Sequence, residues 1–292
     1  SGFCQSYKKY CEIERKIIKM RIIFMGTPDF AEKSLEAIYN SKHEIIAVVT
    51  NPDRPKGRGM KMVASPVKEF ALSKNLPIYQ PEKIRKNEEF INTIKELKPD
   101  VICVVAYGKI LPKEILEIPK LGCINVHGSL LPQYRGAAPI QWAIINGDKI
   151  TGVTTMYMDV GMDTGDMILK EETEIGVDET TGELWDRLAE IGAKLLVKTL
   201  KQIEAGTAPR IKQGEEFTIA PMLEKEMSKI NWKDKSAKEI KNLVRGLNPI
   251  MGTYSFLDGK KIKIWKVEIL PEENNNAENG TVIKADAKEG LY

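Results

Sequence analysis

The sequence contains few of the residues that hold metal ions or disulfide scaffolds. Four cysteines and two histidines occur among its 292 residues, and no pair of cysteines has the Cys-x-x-Cys spacing. These counts give little support to a disulfide framework or to a structural zinc site. A reducing, cytoplasmic environment is therefore expected.

Long apolar runs are also missing. No stretch approaches the ~18 uninterrupted apolar residues that predict a membrane span, so no membrane association is expected. The net charge is only +3, because 44 basic residues are matched by 41 acidic ones. Composition alone therefore does not indicate a nucleic-acid partner, and only the distribution of charge along the chain could do so.

The first 19 residues, "SGFCQSYKKYCEIERKIIK", are polar and basic and lack the apolar segment of a secretory signal. Because a strong apolar strand begins after Met20, we interpret residues 1–19 as a leader or a remnant of cloning.

From Met20 onward, short apolar runs alternate with amphipathic stretches. "RIIFMG", "EIIAVV", "DVICVVA" and "CINVHGS" predict buried strands, and "TGELWDRLAEIGAKLLVKTLKQIEAG" predicts a long amphipathic helix. Continuous apolar strands alternating with helices indicate a mostly parallel sheet covered on both faces. We therefore predict a Rossmann-like α/β domain over residues 20–208.

The pattern changes after this domain. Residues 209–227 are predicted as a linker, and residues 228–292 as a small β domain. In the latter, "TYSFLDGKKIKIWKVEIL" has the alternation of a hairpin with Asp258-Gly259 at its turn. This region is interpreted as an OB-like β-barrel that is incomplete at residue 292.

The turn after the first strand, "GTPDF", does not have the Gly-x-Gly-x-x-Gly pattern, so a dinucleotide cofactor is weakly indicated. A phosphate or another polar group at the following helix N-terminus and a plain strand-to-helix turn both remain open.

The strand "CINVHGS" carries unusual polar residues. Residues two apart in a strand share a face, so Asn125 and His127 project together and Ser129 continues the line. An unpaired amide in a protein interior costs about 1–3 kcal/mol, so such residues need either an internal hydrogen bond or a ligand. The adjoining loop of Pro, Tyr, Arg and Gly favours a ligand site.

The later segment "MDVGMDTGDM" offers a third partner. It places Asp159, Asp163 and Asp166 among glycines that permit an irregular loop, and any of the three carboxylates could serve His127. Asn, His and Asp together can polarise a carbonyl group, stabilise its oxyanion and move a proton.

These motifs together resemble the folate-dependent formyltransferase superfamily. "NVHGSLLPQYRGAAPIQWAI" and "GVTTMYMDVGMDTGDM" carry the resemblance. "MRIIFMGTPDFA", "NPDRPKGRGMKMVASPVKEFA" and "VVAYGKILP" narrow it to the members that act on methionyl-tRNA. It covers the chain from Met20 to the end. It implies an enzyme with residues 20–208 as catalytic domain and 228–292 as tRNA-binding domain, and we expect it to be a monomer. The enzyme would transfer the formyl group of 10-formyltetrahydrofolate to the methionine amino group of initiator tRNA.

The resemblance also implies site residues. It makes Asn125, His127 and Asp163 the catalytic trio, with no metal and no nicotinamide cofactor. The folate would be bound at two segments, and the predicted contacts are Ser129, Leu130, Leu131, Pro132, Tyr107, Gly108 and Ile110.

Basic residues are concentrated in two places. In the loop after the second strand, the resemblance makes Arg54, Lys56, Arg58 and Lys61 tRNA contacts, although a solvated basic loop is the ordinary alternative. The C-terminal region adds a second set, which is consistent with a barrel that follows the RNA backbone, although a Lys-rich surface could also serve solubility: Lys229, Lys233, Lys235, Lys238, Lys241, Arg245, Lys260, Lys261, Lys263 and Lys266.

Three other functions remain open. A formyltransferase for a small amine, such as glycinamide ribonucleotide or an amino sugar nucleotide, would explain the trio but not the basic segments. A hydrolase of 10-formyltetrahydrofolate is a further alternative. A non-catalytic RNA-binding protein would leave the Asn-His-Asp set without a role.

Overall fold

The computed structural model describes residues 19–56, 60–271, 277–288 and 290–292. The predicted leader, up to residue 18, and the predicted tRNA contact Arg58 lie outside the described residues. For Lys56 and Lys61 only the backbone is described.

The strands and helices follow the chain in the alternation that the sequence predicts. The strands are β1 (Arg21–Gly26), β2 (Glu44–Val49), β3 (Arg54–Lys56), β4 (Lys61–Val63), β5 (Ile78–Tyr79), β6 (Val101–Val105), β7 (Cys123–His127), β8 (Arg135–Gly136), β9 (Ile150–Tyr157), β10 (Met167–Glu174), β11 (Ile219–Ala220), β12 (Thr253–Leu257), β13 (Lys260–Ile264), β14 (Ala285–Asp286) and β15 (Gly290–Leu291). The helices are α1 (Asp29–Tyr39), α2 (Pro66–Ser73), α3 (Glu88–Leu97), α4 (Lys113–Leu116), α5 (Pro139–Ile145), α6 (Thr181–Glu204) and α7 (Ala237–Gly246), with one 3₁₀ helix at Lys225–Ser228.

Seven strands form the central sheet in the order β10-β9-β7-β6-β1-β2-β5. The strands from β5 to β7 are parallel, whereas β9 runs antiparallel to β7 and β10 antiparallel to β9. The mostly parallel Rossmann-like sheet is therefore confirmed. The two antiparallel strands matter for function, because they bring the β9–β10 loop (residues 158–166) back toward β7.

Both faces of the sheet are buried, as predicted. Helices α1, α2, α5 and α6 cover one face, where Ile124 and Val126 of β7 belong to the core. Helices α3 and α4 cover part of the other face, where Cys123 of β7 is buried. Because side chains alternate along a strand, Asn125 and His127 share the face of Cys123. Loops, rather than a helix, cover that face at these two residues.

The long helix α6 forms for reasons visible in the sequence. Thr180 and Glu183 make a reciprocal capping box at its start, and Gly206 follows its end with a φ of 68°. Leu184 and Leu188 lie on the buried stripe that packs on the sheet. No helix in the described part of the chain is both long and apolar enough to span a membrane.

The C-terminal region contains α7 and two pairs of antiparallel strands. β12 pairs with β13 through a turn at Asp258 and Gly259, as predicted, and β14 pairs with β15. Among the described residues these hairpins form two separate two-stranded sheets and no closed barrel. The region docks on the first domain through Arg245, whose guanidinium donates to the carbonyl oxygens of Gly176 and Glu179 at 2.9 and 3.1 Å.

The segment predicted as a linker does not lie free of the first domain. Met167 and Ile211 exchange two backbone hydrogen bonds of 2.8 and 2.9 Å. Further along, β11 adds to β8 as a parallel strand, with Ile219 opposite Arg135. The chain between α6 and the C-terminal region is therefore packed across the loops that follow β7 and β9.

Candidate active site

Asn125 and His127 lie at the carboxyl end of β7, on the face of the sheet that α3 and α4 cover only in part. Asn125 is half-buried, and its side-chain amide forms no hydrogen bond with any described residue. His127 is only 6% exposed. The pair therefore combines a free amide with an enclosed imidazole.

The surroundings of His127 determine which ring nitrogen is available. Its Nε2 lies 2.8 Å from the carbonyl oxygen of Tyr134. Because a carbonyl oxygen only accepts hydrogen bonds, Nε2 carries the proton. The other nitrogen, Nδ1, lies 3.7 Å from Oδ2 of Asp163, which is too long for a direct hydrogen bond. Nδ1 is therefore the atom through which this imidazole can exchange a proton with a bound group.

The structure separates the three aspartates of the β9–β10 loop. Asp159 stabilises its own turn by accepting from Thr164 Oγ1 at 2.6 Å. Asp166 forms an ion pair of 3.4 Å with Arg210. Asp163 alone of the three lies beside His127. It has a left-handed φ of 56°.

Backbone groups hold the Asp163 carboxylate in place. Its Oδ2 accepts from the backbone N–H of Gly136 at 2.8 Å. Gly136 has a φ of 122°, and a Cβ there would lie 2.6 Å from the carbonyl oxygen of Ala220. A glycine is therefore required at the position whose N–H binds the carboxylate.

The loop after β7 is stabilised by buried polar contacts. Thr154, on β9 opposite His127, donates from Oγ1 to the Ser129 carbonyl at 2.7 Å and accepts from the Leu131 N–H at 3.1 Å. The Ser129 hydroxyl donates to the carbonyl of Gln133 at 2.6 Å. Ser129 and Leu131 are fully buried, whereas Leu130 and Pro132 are partly exposed. The predicted folate contacts in this loop therefore expose only two side chains.

The second predicted folate segment follows β6, which is the neighbour of β7 in the sheet. Val105 pairs with Val126, so the residues after β6 begin beside His127. Tyr107 is 2% exposed, its hydroxyl has no hydrogen-bond partner among the described residues, and burial raises its pKa to about 12. Gly108 has a φ of 77°, and Ile110 is 60% exposed.

The basic loop after β2 forms a hairpin of β3 and β4. Arg54 pairs with Val63 in this hairpin and is exposed. Asp53, the acid of the loop, is bound by Lys68 at 2.6 Å, and this contact lowers the pKa of the carboxyl group. Because Asp53 forms its ion pair with Lys68, it does not neutralise the positive charge of Arg54. Since β2 lies three strands from β7, the hairpin begins about 14 Å from the His127 strand.

The basic residues of the C-terminal region differ in whether their charges are free to contact a ligand. Arg245 is 9% exposed and holds backbone carbonyls, so the expectation that it faces RNA is wrong. Lys235, Lys241 and Lys266 form ion pairs with acidic neighbours. Lys261 instead lies over the ring of Tyr254, with its Nζ 3.6 Å from the ring centroid. Within the described residues, no group of three or more His, Cys, Asp or Glu side chains could hold a metal ion.

Two family models match this chain. The model described as "Formyl transferase" matches residues 20–200, and "Formyl transferase, C-terminal domain" matches residues 222–292. Over 273 residues the chain is 56% identical to a methionyl-tRNA formyltransferase of Acetivibrio thermocellus, with 93% of this chain and 87% of that protein covered. The chain belongs to the methionyl-tRNA formyltransferase family. A member from Clostridioides difficile is 55% identical over 273 residues, with the same shares covered.

Solved structures with lower identity share the fold of this family member. A 4-N formyltransferase from Francisella tularensis superimposes with a TM-score of 0.67 at 22% identity, over 86% of this chain and 99% of that one. HypX from Aquifex aeolicus, solved with tetrahydrofolic acid, gives 0.64 at 18% identity, over 91% of this chain and 40% of that one.

Sequence reasoning missed four residues that shape the site of this formyltransferase-family chain. Tyr134 and Gly136 act through backbone atoms, and Thr154 acts from the facing strand. Gln213 reaches the Asp163 loop from 50 residues further along the chain. Backbone contacts cannot be predicted from the pattern of side chains along the sequence. The segment around Gln213 has no hydrophobic periodicity that would predict its position in the fold.

Proposed function

We propose that this chain transfers the formyl group of 10-formyltetrahydrofolate to the amino group of methionine on initiator tRNA, for translation initiation. The observation that carries the reaction type is the free Asn125 amide beside His127, whose Nδ1 faces the Asp163 carboxylate at 3.7 Å. The choice of tRNA is supported by relatives of 55–56% identity that are named for this substrate.

Formyl transfer to an amine requires only a few contributions from the protein. An α-amino group has a pKa near ~8, so much of it is already a neutral nucleophile at neutral pH. The site must therefore hold the amine against the formyl carbon and stabilise the formyl oxygen as it gains negative charge. A C–N bond to the methionine amine forms, and the bond from the formyl carbon to N10 of the folate breaks. The proton that leaves the amine is balanced by one that N10 receives.

The trio can divide these tasks. We assign the Asn125 amide as a donor to the formyl oxygen, because nothing among the described residues occupies it. His127 donates to the same oxygen only through Nδ1, and only while the ring is charged, because Tyr134 engages Nε2. Asp163 balances that charge and accepts the amine proton, directly or through a water molecule.

We propose that folate binds between the loop after β7 and the segment after β6. The support is that these two segments follow neighbouring strands at the His127 end. Since Ser129, Leu131 and Tyr107 are buried, they would contribute backbone contacts or shape. Leu130, Pro132 and Ile110 are the members with exposed side-chain surface, and a Cβ at Gly108 would contact only Nδ2 of Asn51, at 3.8 Å.

We propose that tRNA contacts the β3–β4 hairpin through Arg54, Lys56, Arg58 and Lys61. We propose that it also contacts the C-terminal region, residues 228–292, through those lysines of the second basic set that form no ion pair with another described residue. Phosphate contacts of this kind would make tRNA affinity fall steeply with salt. Residues 20–208 would act as the catalytic domain. A monomer suffices for the reaction, since all the assigned groups come from one chain. We assign the reaction to the cytoplasm, where initiator tRNA is used.

A formyltransferase acting on a small amine is the second candidate. It is favoured by the structural likeness to a 4-N formyltransferase, but that likeness stands at 22% identity. Arg54, which is exposed on the β3–β4 hairpin and forms no ion pair with another described residue, would have no role in it. A non-catalytic RNA-binding protein would leave the Asn125, His127 and Asp163 arrangement without a use.

The deciding experiment measures formyl transfer from 10-formyltetrahydrofolate to initiator Met-tRNA and, separately, to free amines. The parent chain is compared with His127→Ala and Asp163→Ala, and with His43→Ala, which removes the chain's other histidine. We expect transfer to Met-tRNA that collapses in the first two variants and persists in the third. Transfer to free amines but not to Met-tRNA would favour the second candidate, and tRNA binding without turnover would favour the non-catalytic protein.

A further inference from the structure

The segment from residue 207 to residue 221 lies between the regions that the two family models match. It nevertheless contacts both loops of the candidate active site. Ile211 exchanges backbone hydrogen bonds with Met167 at the end of the β9–β10 loop. Tyr134, in the loop after β7, donates its backbone N–H to Thr218 Oγ1 at 2.8 Å. This segment therefore ties together the two loops that carry Asp163 and the partners of His127.

Gln213 is the centre of these contacts. Its Nε2 donates to the carbonyl oxygens of Asp163 and Gly165 at 2.8 and 2.9 Å. Its Oε1 accepts from Nε of Arg135 at 2.9 Å. The orientation of the amide is unambiguous, because the carbonyls can only accept and the guanidinium can only donate. All the hydrogen-bonding groups of this side chain are thus directed at the two site loops.

The position of Asp163 depends on more than its own hydrogen bond. The residue has a left-handed φ of 56°, a conformation that is uncommon for residues other than glycine. Gly165 has no room for a side chain, since a Cβ would lie 1.7 Å from the carbonyl oxygen of Tyr157. Gln213 binds the carbonyls on both sides of Thr164, and so holds the turn that aims the carboxylate.

The Gln213 amide also holds the residue next to Gly136, the donor that binds the Asp163 carboxylate. Arg135, which donates to Gln213, immediately precedes Gly136, whose N–H binds Asp163 Oδ2 at 2.8 Å. The Arg135 guanidinium in turn lies 4.4 Å from the ring centroid of Phe217, in the same segment. One side chain therefore connects the backbone of Asp163 to the residue beside the donor for its carboxylate.

We propose that Gln213 is a positioning residue for Asp163, so that one side chain from the segment between the two matched regions helps to build the active site. This inference rests on the proposed function, in which Asp163 handles the amine proton. Gln213 does not touch the reacting groups itself. It keeps the carboxylate beside His127 Nδ1 while Met-tRNA and folate bind and leave.

The decisive variant is Gln213→Glu. A glutamate has the same shape and still accepts from Arg135, but its carboxylate cannot donate to the carbonyls of Asp163 and Gly165. We expect kcat for Met-tRNA formylation to fall by about 10- to 100-fold, the usual effect of a displaced catalytic group, with KM for both substrates nearly unchanged. The matched control is Glu215→Gln, the reverse exchange at an exposed neighbour, which should leave kcat unchanged.

A double-mutant cycle distinguishes positioning from general damage. In an Asp163→Asn background, Gln213→Glu should lower kcat by less than about threefold further, because the carboxylate that Gln213 positions is already absent. An equal loss in both backgrounds, or a Gln213→Glu enzyme with the kcat of the parent, would overturn the proposal.

A measurement without turnover keeps the inference separate from the proposed function. Amide hydrogen exchange at Gly136, whose N–H binds the Asp163 carboxylate, should become faster in Gln213→Glu and approach the rate in Asp163→Ala. Exchange at Ala137, which donates to Ala220, should not change. If the parent fails to formylate Met-tRNA but Gly136 responds in this way, the proposed function fails and the positioning role stands. Unchanged exchange at Gly136 would refute the positioning role.

Discussion

The loop that follows His127 depends on one buried hydroxyl group, and its removal tests how the site is built. Thr154 is fully buried on β9, and its Oγ1 serves the carbonyl of Ser129 and the N–H of Leu131. Substitution with valine keeps the shape of the side chain but removes both contacts. The two backbone groups are then left without a partner beneath the proposed folate loop.

The expected destabilisation can be worked out from these contacts. Each buried backbone group that loses its partner costs about 1–3 kcal/mol, while the added methyl group regains about 0.8 kcal/mol through burial. We therefore expect Thr154→Val to lower the free energy of unfolding by about 1–5 kcal/mol. Because the loop carries Leu130 and Pro132, we also expect a higher KM for 10-formyltetrahydrofolate.

Urea unfolding measures this change as a shift of the midpoint at constant m-value, and initial-rate kinetics measure KM. Thr154→Ser is the control, because it retains the hydroxyl and loses a methyl group, at a cost of about 1 kcal/mol. The reasoning would be refuted if valine were no more destabilising than serine, since the hydroxyl would then contribute nothing to the loop.

Three further outcomes are expected. Arg54→Ala should weaken tRNA binding and reduce the slope of log affinity against log salt by about 0.7–0.9, measured by filter binding. Tyr107→Phe should leave stability at neutral pH unchanged or higher, because the hydroxyl is unpartnered among the described residues. Burial raises the pKa of Tyr107 from 10.0 to about 12, so ionisation of its hydroxyl lowers the stability of the parent as pH rises from 10 to 12. Unfolding of the variant should therefore depend less on alkaline pH. Gly136→Ala should abolish formylation and lower the unfolding midpoint, because a Cβ there would lie 2.6 Å from the Ala220 carbonyl oxygen.

Much of the first domain could be predicted because its signals are local. The apolar runs of β1, β2, β6 and β7 and the capping box of α6 lie within a few residues of one another, so hydrophobic periodicity and helix-end chemistry locate them. The antiparallel course of β9 was not predicted. It depends on how the strands pair, and an apolar strand has the same composition in either direction.

The C-terminal region shows where charge patterns mislead. Arg245 lies in a run of basic residues, a pattern that predicts a surface available to RNA. The structure buries it and directs its guanidinium to the carbonyls of Gly176 and Glu179, about 70 residues earlier in the chain. A charge reaches solvent or a partner according to the packing around it, which a one-dimensional pattern does not contain.

For the candidate site, the sequence by itself determined which chemical groups are present and that Asn125 and His127 share one face of a strand, because alternation in a strand is a local rule. It left three aspartates as equivalent partners on the basis of their spacing. Only the tertiary structure decided among them, since Asp159 closes its own turn, Asp166 binds Arg210, and Asp163 is brought to His127. It also brought Gly136 and Gln213 to Asp163 from 27 and 50 residues away. Contacts at such separations depend on how whole loops pack together, and no local preference of the chain encodes them.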